Sequence, residues 1–94
     1  MAKLIISGVN GGQVTFPLVL GETLIGRLDS VDVILEDPAV SRVHAKIVKE
    51  NGADIIIDLE SRTGTRINGA RIARHRLANG DVIEIASARM EYRE

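Results

Sequence analysis

Residues 58–69 read Asp-Leu-Glu-Ser-Arg-Thr-Gly-Thr-Arg-Ile-Asn-Gly. They follow an apolar run at residues 55–57 and end in Asn68-Gly69, a dipeptide typical of a tight β-hairpin turn. Gly64 can adopt a positive φ, so the backbone can turn sharply there and direct its N–H groups to one side. The stretch therefore predicts a loop of hydroxyl, guanidinium and amide donors between two strands, suited to holding an anion.

The apolar residues around this stretch favour β structure. Ile and Val together number 21, against one Phe, one Tyr and no Trp, and β-branched side chains pack well on a pleated sheet. Turn signals recur about every eight to twelve residues, and no helical period is free of them. We expect an all-β sandwich of two mostly antiparallel sheets with about 10–11 short strands. The main expected strands are residues 3–7, 13–20, 22–27, 32–35, 43–48, 54–59, 65–67, 70–72, 82–85 and 88–92.

The alternation of apolar and polar residues also predicts which side chains are buried. After a turn at residues 9–12, residues 13–20 are expected to form a half-buried strand, with Pro17 at an edge or bulge. Its apolar face carries Val14, Phe16, Leu18 and Leu20.

Two histidines receive different predictions. In residues 43–48 the alternation places His44 opposite the apolar face, and it places Ser41 and His44 on opposite faces of the strand start. His75 lies in an arginine-rich loop and is expected to be exposed.

Length and composition limit the kind of protein. A chain of 94 residues is about the size at which one core becomes self-sufficient, so we expect a single domain over residues 1–94. It has no cysteine, which excludes disulfides and thiolate metal sites. It shows neither a basic-apolar leader nor an apolar run of about 18 residues. A cytoplasmic protein that does not enter a membrane is expected, with its oligomeric state open.

The charge is small overall but unevenly distributed. The net charge is −1, yet residues 61–80 contain five arginines and no acid. Arginine outnumbers lysine nine to three, which favours planar recognition of phosphate or carboxylate, although a solvated face is the simpler reading. Nucleic-acid binding through this arginine stretch would show steep salt dependence. The near-neutral charge and the scarcity of stacking aromatics argue against it.

Four blocks of sequence follow one another along the chain. They are Ile25-Gly26-Arg27, Ser41-Arg42-Val43-His44-Ala45, residues 58–69, and Leu77 with Gly80-Asp81-Val82-Ile83. In order and spacing they resemble the forkhead-associated (FHA) domain, a phosphothreonine-binding β-sandwich, and the resemblance covers essentially the whole chain. Because the chain ends directly after its last expected strand, it is expected to be a fragment of a longer signalling protein.

The resemblance implies a phosphate-binding role for four residues. Arg27 corresponds to the arginine that pairs with the phosphate, and Ser41 to the serine whose hydroxyl and N–H reach it. Arg42 corresponds to a second phosphate contact, partly through its backbone. Arg62 stands where the family often has a phosphate-binding Thr or Ser, so its guanidinium either replaces that hydroxyl or points into water.

Other residues are implied to support the loops. His44 corresponds to a structural histidine that braces the binding loops, Gly64 holds the turn, and Asn68 ties neighbouring loops together. The remaining positions with an implied structural role are Gly26, Thr65 and Gly69.

One departure affects peptide recognition. Thr63 replaces an asparagine that in the family typically holds the peptide backbone after the phosphothreonine, and a hydroxyl cannot donate and accept as a carboxamide does. The predicted function is recognition of a phosphothreonine in a partner protein, downstream of a Ser/Thr kinase. The alternative is an FHA-like module that binds its partner independently of phosphate.

The sequence favours neither an enzyme nor a metal or cofactor site. His44 has no accompanying nucleophile and oriented acid. The acidic residues between positions 29 and 37 do not have the spacing of a calcium loop. Residues 10–12 lack the Gly-Lys-Ser/Thr and helix of a nucleotide loop.

Overall fold

The computed structural model of the protein describes residues 2–9 and 12–94, and in this part of the chain it contains strands and no helix. One sheet has the strand order β2-β1-β11-β10-β7-β8 and the other β4-β3-β5-β6-β9. All strand pairings are antiparallel except that of β3 with β4. The predicted all-β sandwich is therefore confirmed. The strands are β1 (Lys3–Val9), β2 (Gly12–Pro17), β3 (Glu22–Gly26), β4 (Val33–Ile34), β5 (Ala45–Glu50), β6 (Ala53–Asp58), β7 (Thr65–Ile67), β8 (Ala70–Ile72), β9 (Arg74–Arg76), β10 (Val82–Ile85) and β11 (Ala88–Arg93).

The core lies between the two sheets and follows the period of two that strands impose. In β11, Ala88, Met90 and Tyr92 are buried, while Arg89 and Arg93 are exposed. Each fully buried aliphatic side chain contributes about 1.5–3 kcal/mol, so the sheets hold the loops on a stable base. The largest fully buried apolar side chains are Leu4, Ile25, Leu35, Ile56, Ile83, Ile85 and Met90.

Three strands, at residues 65–67, 70–72 and 82–85, begin and end where they were predicted to. The prediction of a half-buried strand over residues 13–20 is wrong. β2 ends at Pro17, and the side chains of Val14 and Leu20 are 62% and 43% exposed. β2 is an edge strand and faces the two-residue β4, which cannot cover it. Pro17 does lie on an edge strand, as expected. Of the predicted turn at residues 9–12, the central residues 10–11 lie outside the described part of the chain.

The sequence reading missed β9. Arg74, His75 and Arg76 pair with β6 at the edge of the second sheet, where charged side chains remain in water and apolar alternation is not required. The prediction of an exposed His75 is also wrong. Its side chain is about two-thirds buried and its Nε2 lies 2.9 Å from an oxygen of Asp81.

No helix capable of crossing a bilayer occurs in residues 2–9 and 12–94.

Candidate functional site

Three loops converge beside the ends of the strands, and we call them the apical loops. They are residues 27–32 between β3 and β4, residues 35–44 between β4 and β5, and residues 59–64 between β6 and β7. The β10–β11 turn joins them, because the Ser87 hydroxyl donates to a carboxylate oxygen of Asp37 at 2.7 Å. The loops that carry the predicted phosphate-binding residues therefore form one connected surface.

Hydrogen bonds between the apical loops bring Arg27, Ser41, Arg42 and Arg62 together. The N–H of Arg27 donates to the carbonyl oxygens of Ser41 and Arg42 at 3.1 and 3.0 Å. The N–H of Arg62 donates to the Ser41 hydroxyl oxygen at 3.0 Å. Arg27 and Arg62 are 35 positions apart in sequence, and both donate a backbone N–H to Ser41.

Gly26 is required by a close approach between two backbones. A methyl group built on Gly26 would lie 2.2 Å from the carbonyl oxygen of Arg42. Because that contact is with backbone, a side chain could be accommodated only by moving the loop. The glycine allows the same carbonyl to accept the N–H groups of Arg27 and Leu28.

His44 is fully buried and joins two apical loops. Its Nδ1 accepts the N–H of Ser41 at 3.1 Å, and its Nε2 lies 2.9 Å from the carbonyl oxygen of Gly64. A backbone N–H can only donate and a carbonyl can only accept, so the ring is assigned as the neutral tautomer protonated on Nε2. The prediction that His44 lies opposite the apolar face of a strand is wrong. β5 begins only at Ala45, so the alternation of a strand does not apply to His44.

The same geometry corrects the prediction that Ser41 and His44 lie on opposite faces. They are in contact, but through the Ser41 N–H rather than its hydroxyl. Because the hydroxyl is not bonded to the imidazole, the pair lacks the nucleophile–base geometry of covalent catalysis. The Ser41 N–H is occupied by His44, so its hydroxyl is the group that can turn towards a ligand.

Asp58 holds the loop between β6 and β7 in shape. Its carboxylate accepts the Ser61 N–H at 3.0 Å, the Ser61 hydroxyl at 2.6 Å and the Thr65 hydroxyl at 2.7 Å. Burial acts to raise the pKa of Asp58, but the hydrogen bonds from Ser61 and Thr65 outweigh it and hold the pKa below the usual 3.8. The ionised carboxylate therefore holds the loop in shape. The hydroxyl oxygen of Ser61 in turn accepts the N–H of Gly64 at 3.0 Å, which fixes the turn at Gly64.

Arg27 lies at an open cleft of about 520 Å³ that is also lined by Glu36, Asp37 and Pro38. Its Nε donates to the carbonyl oxygen of Val40 at 3.1 Å, which orients the guanidinium. Within residues 2–9 and 12–94, its two terminal nitrogens have no hydrogen-bond partner. They are free to form the paired N–H contacts that a phosphate accepts.

Arg62 and Thr63 reach across to the loop between β4 and β5. Arg62 Nη2 donates to the carbonyl oxygen of Pro38 at 3.2 Å, and the Thr63 hydroxyl donates to that of Ala39 at 2.9 Å. The guanidinium of Arg62 therefore does not simply point into water. One of its N–H groups binds Pro38, and its other N–H groups can still donate to a ligand. The Thr63 hydroxyl proton is already used within the protein.

Asn68 and Gly69 lie at the far end of β7 from Gly64 and are not brought to the apical loops. The Asn68 amide donates to Asp81 at 2.9 Å and its oxygen accepts the Val82 N–H at 2.9 Å. Asn68 thus ties the β7–β8 turn to the β9–β10 turn, which are neighbouring loops but not those of the candidate site.

No role was predicted for Asp58 from the sequence, nor any long-range contact for Asp37. A signal for Asp58 was present, because a carboxylate three residues before a serine is a common local turn arrangement. No local signal could reveal the contact of Asp37 with Ser87, which are 50 residues apart.

Comparison with known proteins places this geometry in a family. The sequence model of the FHA domain matches residues 23–86, which include all three apical loops. The chain belongs to the FHA domain family. FHA domains are non-catalytic interaction modules that bind phosphothreonine peptides.

Solved FHA structures agree closely with this one. The crystal structure of the FhaA FHA domain complexed with the intracellular domain of Rv3910 has a TM-score of 0.90 and 31% identity, covering 99% of this chain and 100% of that one. Mycobacterium tuberculosis EmbR in complex with a low affinity phosphopeptide also has a TM-score of 0.90, with 32% identity over 98% of this chain and 24% of EmbR.

Curated FHA relatives are longer proteins. The glycogen accumulation regulator GarA of Mycolicibacterium smegmatis is 35% identical over 85 residues, which is 90% of this chain and 53% of GarA. FhaA of Mycobacterium tuberculosis is 36% identical over 76 residues, 81% of this chain and 14% of FhaA. The chain thus spans about half or less of the length of these relatives.

Proposed function

We propose that this FHA domain binds a phosphothreonine in a partner protein through Arg27, Ser41, Arg42 and Arg62. The observation that carries the proposal is the position of Arg27 at the mouth of a cleft. Its Nε donates to Val40, while its terminal nitrogens have no partner in the part of the chain that the structure describes. A guanidinium held in this way has lost much of its freedom before the ligand arrives, which lowers the entropic cost of binding.

The Ser41 hydroxyl and the backbone of the apical loops support the same site. The hydroxyl oxygen accepts the Arg62 N–H, so its own proton is available to a phosphate oxygen. The phosphate carries about two negative charges, and each charge-assisted hydrogen bond contributes roughly 1.5–3 kcal/mol. Three or four such bonds, less the ordering of a flexible peptide, correspond to a Kd on the order of micromolar.

The partner is thus a protein phosphorylated by a Ser/Thr kinase, and the domain acts as an adaptor without metal, cofactor or catalysis. The non-catalytic reading is supported by the contact of His44 with the Ser41 N–H rather than with its hydroxyl. Nucleic acid is disfavoured as a partner because Glu84 lies between Arg66 and Arg89 on the outer face of the sheet.

Phosphate-independent binding is the second candidate function. It is favoured by one observation, that the Thr63 hydroxyl already donates to Ala39 and so cannot donate to a peptide carbonyl. In that case the partner would be recognised by side-chain contacts on the same loops, and phosphorylation would leave its affinity unchanged.

Titration calorimetry with matched peptides distinguishes these proposals. A phosphothreonine peptide and its plain counterpart are titrated into wild type, Arg27→Ala and the matched control Arg76→Ala, which removes an exposed arginine on β9. We expect only wild type and Arg76→Ala to bind the phosphopeptide, with thermal transitions nearly unchanged in both variants. Equal binding of phosphorylated and plain peptides by wild type overturns phosphate recognition and favours the alternative.

A further inference from the structure

Arg71 on β8 lies directly against the loop that carries Ser61, Arg62 and Thr63. A methyl group built on Gly64 would lie 2.7 Å from Nε and 2.9 Å from Cζ of Arg71. The arginine side chain therefore occupies the space that any larger residue at position 64 would need. Gly64 makes room for this guanidinium in addition to adopting its φ of +88°.

Among residues 2–9 and 12–94, no carboxylate balances the charge of Arg71. The β7–β8 pairing places it opposite Arg66, and like charges facing each other across two strands are destabilising. Arg66 has Glu84 on its other side, and Glu84 also faces Arg89. β8 is the last strand of its sheet, so no further strand supplies an acid to Arg71. Among the residues that the structure describes, no ion pair or side-chain hydrogen bond involves Arg71.

We propose that Arg71 is a specificity-determining residue that pairs with an Asp or Glu side chain of the bound phosphopeptide, within three residues of the phosphothreonine. This inference rests on the proposed function. The guanidinium lies on Gly64, one residue from Thr63, so a peptide held by Ser41 and Arg62 passes within reach of its N–H donors. A carboxylate is the planar acceptor that a guanidinium fork fits best.

The structure also indicates why the acid belongs on this side. The cleft at Arg27 is lined by two carboxylates, Glu36 and Asp37, and Asp37 is held ionised by hydrogen bonds from Ser87 and Ala39 that lower its pKa. Once the phosphate is bound to Arg27, this cleft offers no second cation to an acidic side chain of the peptide. Arg71 packs on the loop between β6 and β7 and has no ion pair among the described residues, so it sets the opposite preference on that wall of the site.

The test is a double-mutant cycle between protein and peptide. A set of seven-residue phosphothreonine peptides carries one Glu at each position in turn, and each has a Gln counterpart. Binding is measured by fluorescence anisotropy for wild type, Arg71→Gln and the control Arg66→Gln, which removes an equal charge from the same face. We expect one Glu peptide to bind wild type roughly three- to fivefold more tightly than its Gln counterpart, as for a partly exposed ion pair.

That preference should disappear in Arg71→Gln and persist in Arg66→Gln. A loss of equal size in both variants, or no Glu preference at any position, overturns the role of Arg71 while leaving phosphate recognition intact. If wild type binds plain and phosphorylated peptides equally, the proposed function fails and this inference fails with it. Arg71→Glu should reverse the preference to a Lys peptide at the same position.

Discussion

The buried imidazole of His44 donates its Nε2–H to the carbonyl oxygen of Gly64 at 2.9 Å, across 20 positions of sequence. Through its other nitrogen it also accepts the N–H of Ser41. One side chain thus sets the spacing between the loop that offers the Ser41 hydroxyl and the loop that offers Arg62. The shape of the candidate site therefore depends on a fully buried residue.

Replacing His44 should destabilise the fold and the site together. His44→Ala leaves a buried donor and acceptor without partners and creates a cavity, so we expect a loss of about 2–4 kcal/mol in the free energy of unfolding. His75→Ala is the control, because His75 is partly exposed and makes one described side-chain hydrogen bond, to Asp81, and it should lose about 1 kcal/mol or less. Urea unfolding measures both values. Similar losses in the two variants would contradict the bridging role of His44.

Asp58 should make stability depend on pH. Its pKa is lower folded than unfolded, so its ionised form stabilises the fold fully above about pH 4, and this contribution is lost as pH falls through the folded pKa. Asp58→Asn cannot accept all the same hydrogen bonds and should lose about 2 kcal/mol at pH 7. The gap between the wild-type and mutant transitions should narrow towards pH 3 in thermal unfolding. A gap that stays constant with pH would exclude this role.

Alanine substitutions at Gly64 and Gly69 should distinguish the effect of backbone strain from the effect of contact with the Arg71 side chain. Both have a φ of +88°, but only Gly64 has Arg71 against it. Because the Arg71 side chain can swing away, Gly64→Ala and Gly69→Ala should each lose about 1–2 kcal/mol, from the left-handed backbone alone. Chemical denaturation tests the equality. Only Gly64→Ala should weaken binding of the Glu-containing phosphopeptide, and an equal effect of Gly69→Ala on that binding would speak against the contact.

Ala86 should be improved by substitution. It has a φ of +53° in the β10–β11 turn, in the left-handed region that favours glycine. Ala86→Gly relieves the clash of Cβ in the left-handed region and should raise stability by about 0.5–1 kcal/mol. The control Ala78→Gly, at an exposed loop position without a positive φ, should lower stability slightly. A lower melting temperature for Ala86→Gly would refute the strain argument.

The prediction of elements from sequence succeeded where local chemistry decides the outcome. The Asn68-Gly69 turn and the strands on either side of it have the predicted bounds, because a positive φ at both positions and short β-branched flanks specify a hairpin locally. Prediction failed at β2 and β9, each of which lies at one edge of its sheet, where the period of two no longer reports burial.

The sequence alone determined the β-sandwich class, the family and the identity of the apical loop residues, because turn chemistry and motif spacing are local properties. Tertiary structure alone decided which contacts each of these residues makes. In the folded protein, His44 accepts the N–H of Ser41, and the Thr63 hydroxyl donates to the carbonyl oxygen of Ala39. The carbonyl oxygen of Val40 orients the Arg27 side chain. The Arg71 side chain packs on Gly64. These contacts join residues far apart in the chain, and their geometry is set by how the two sheets pack.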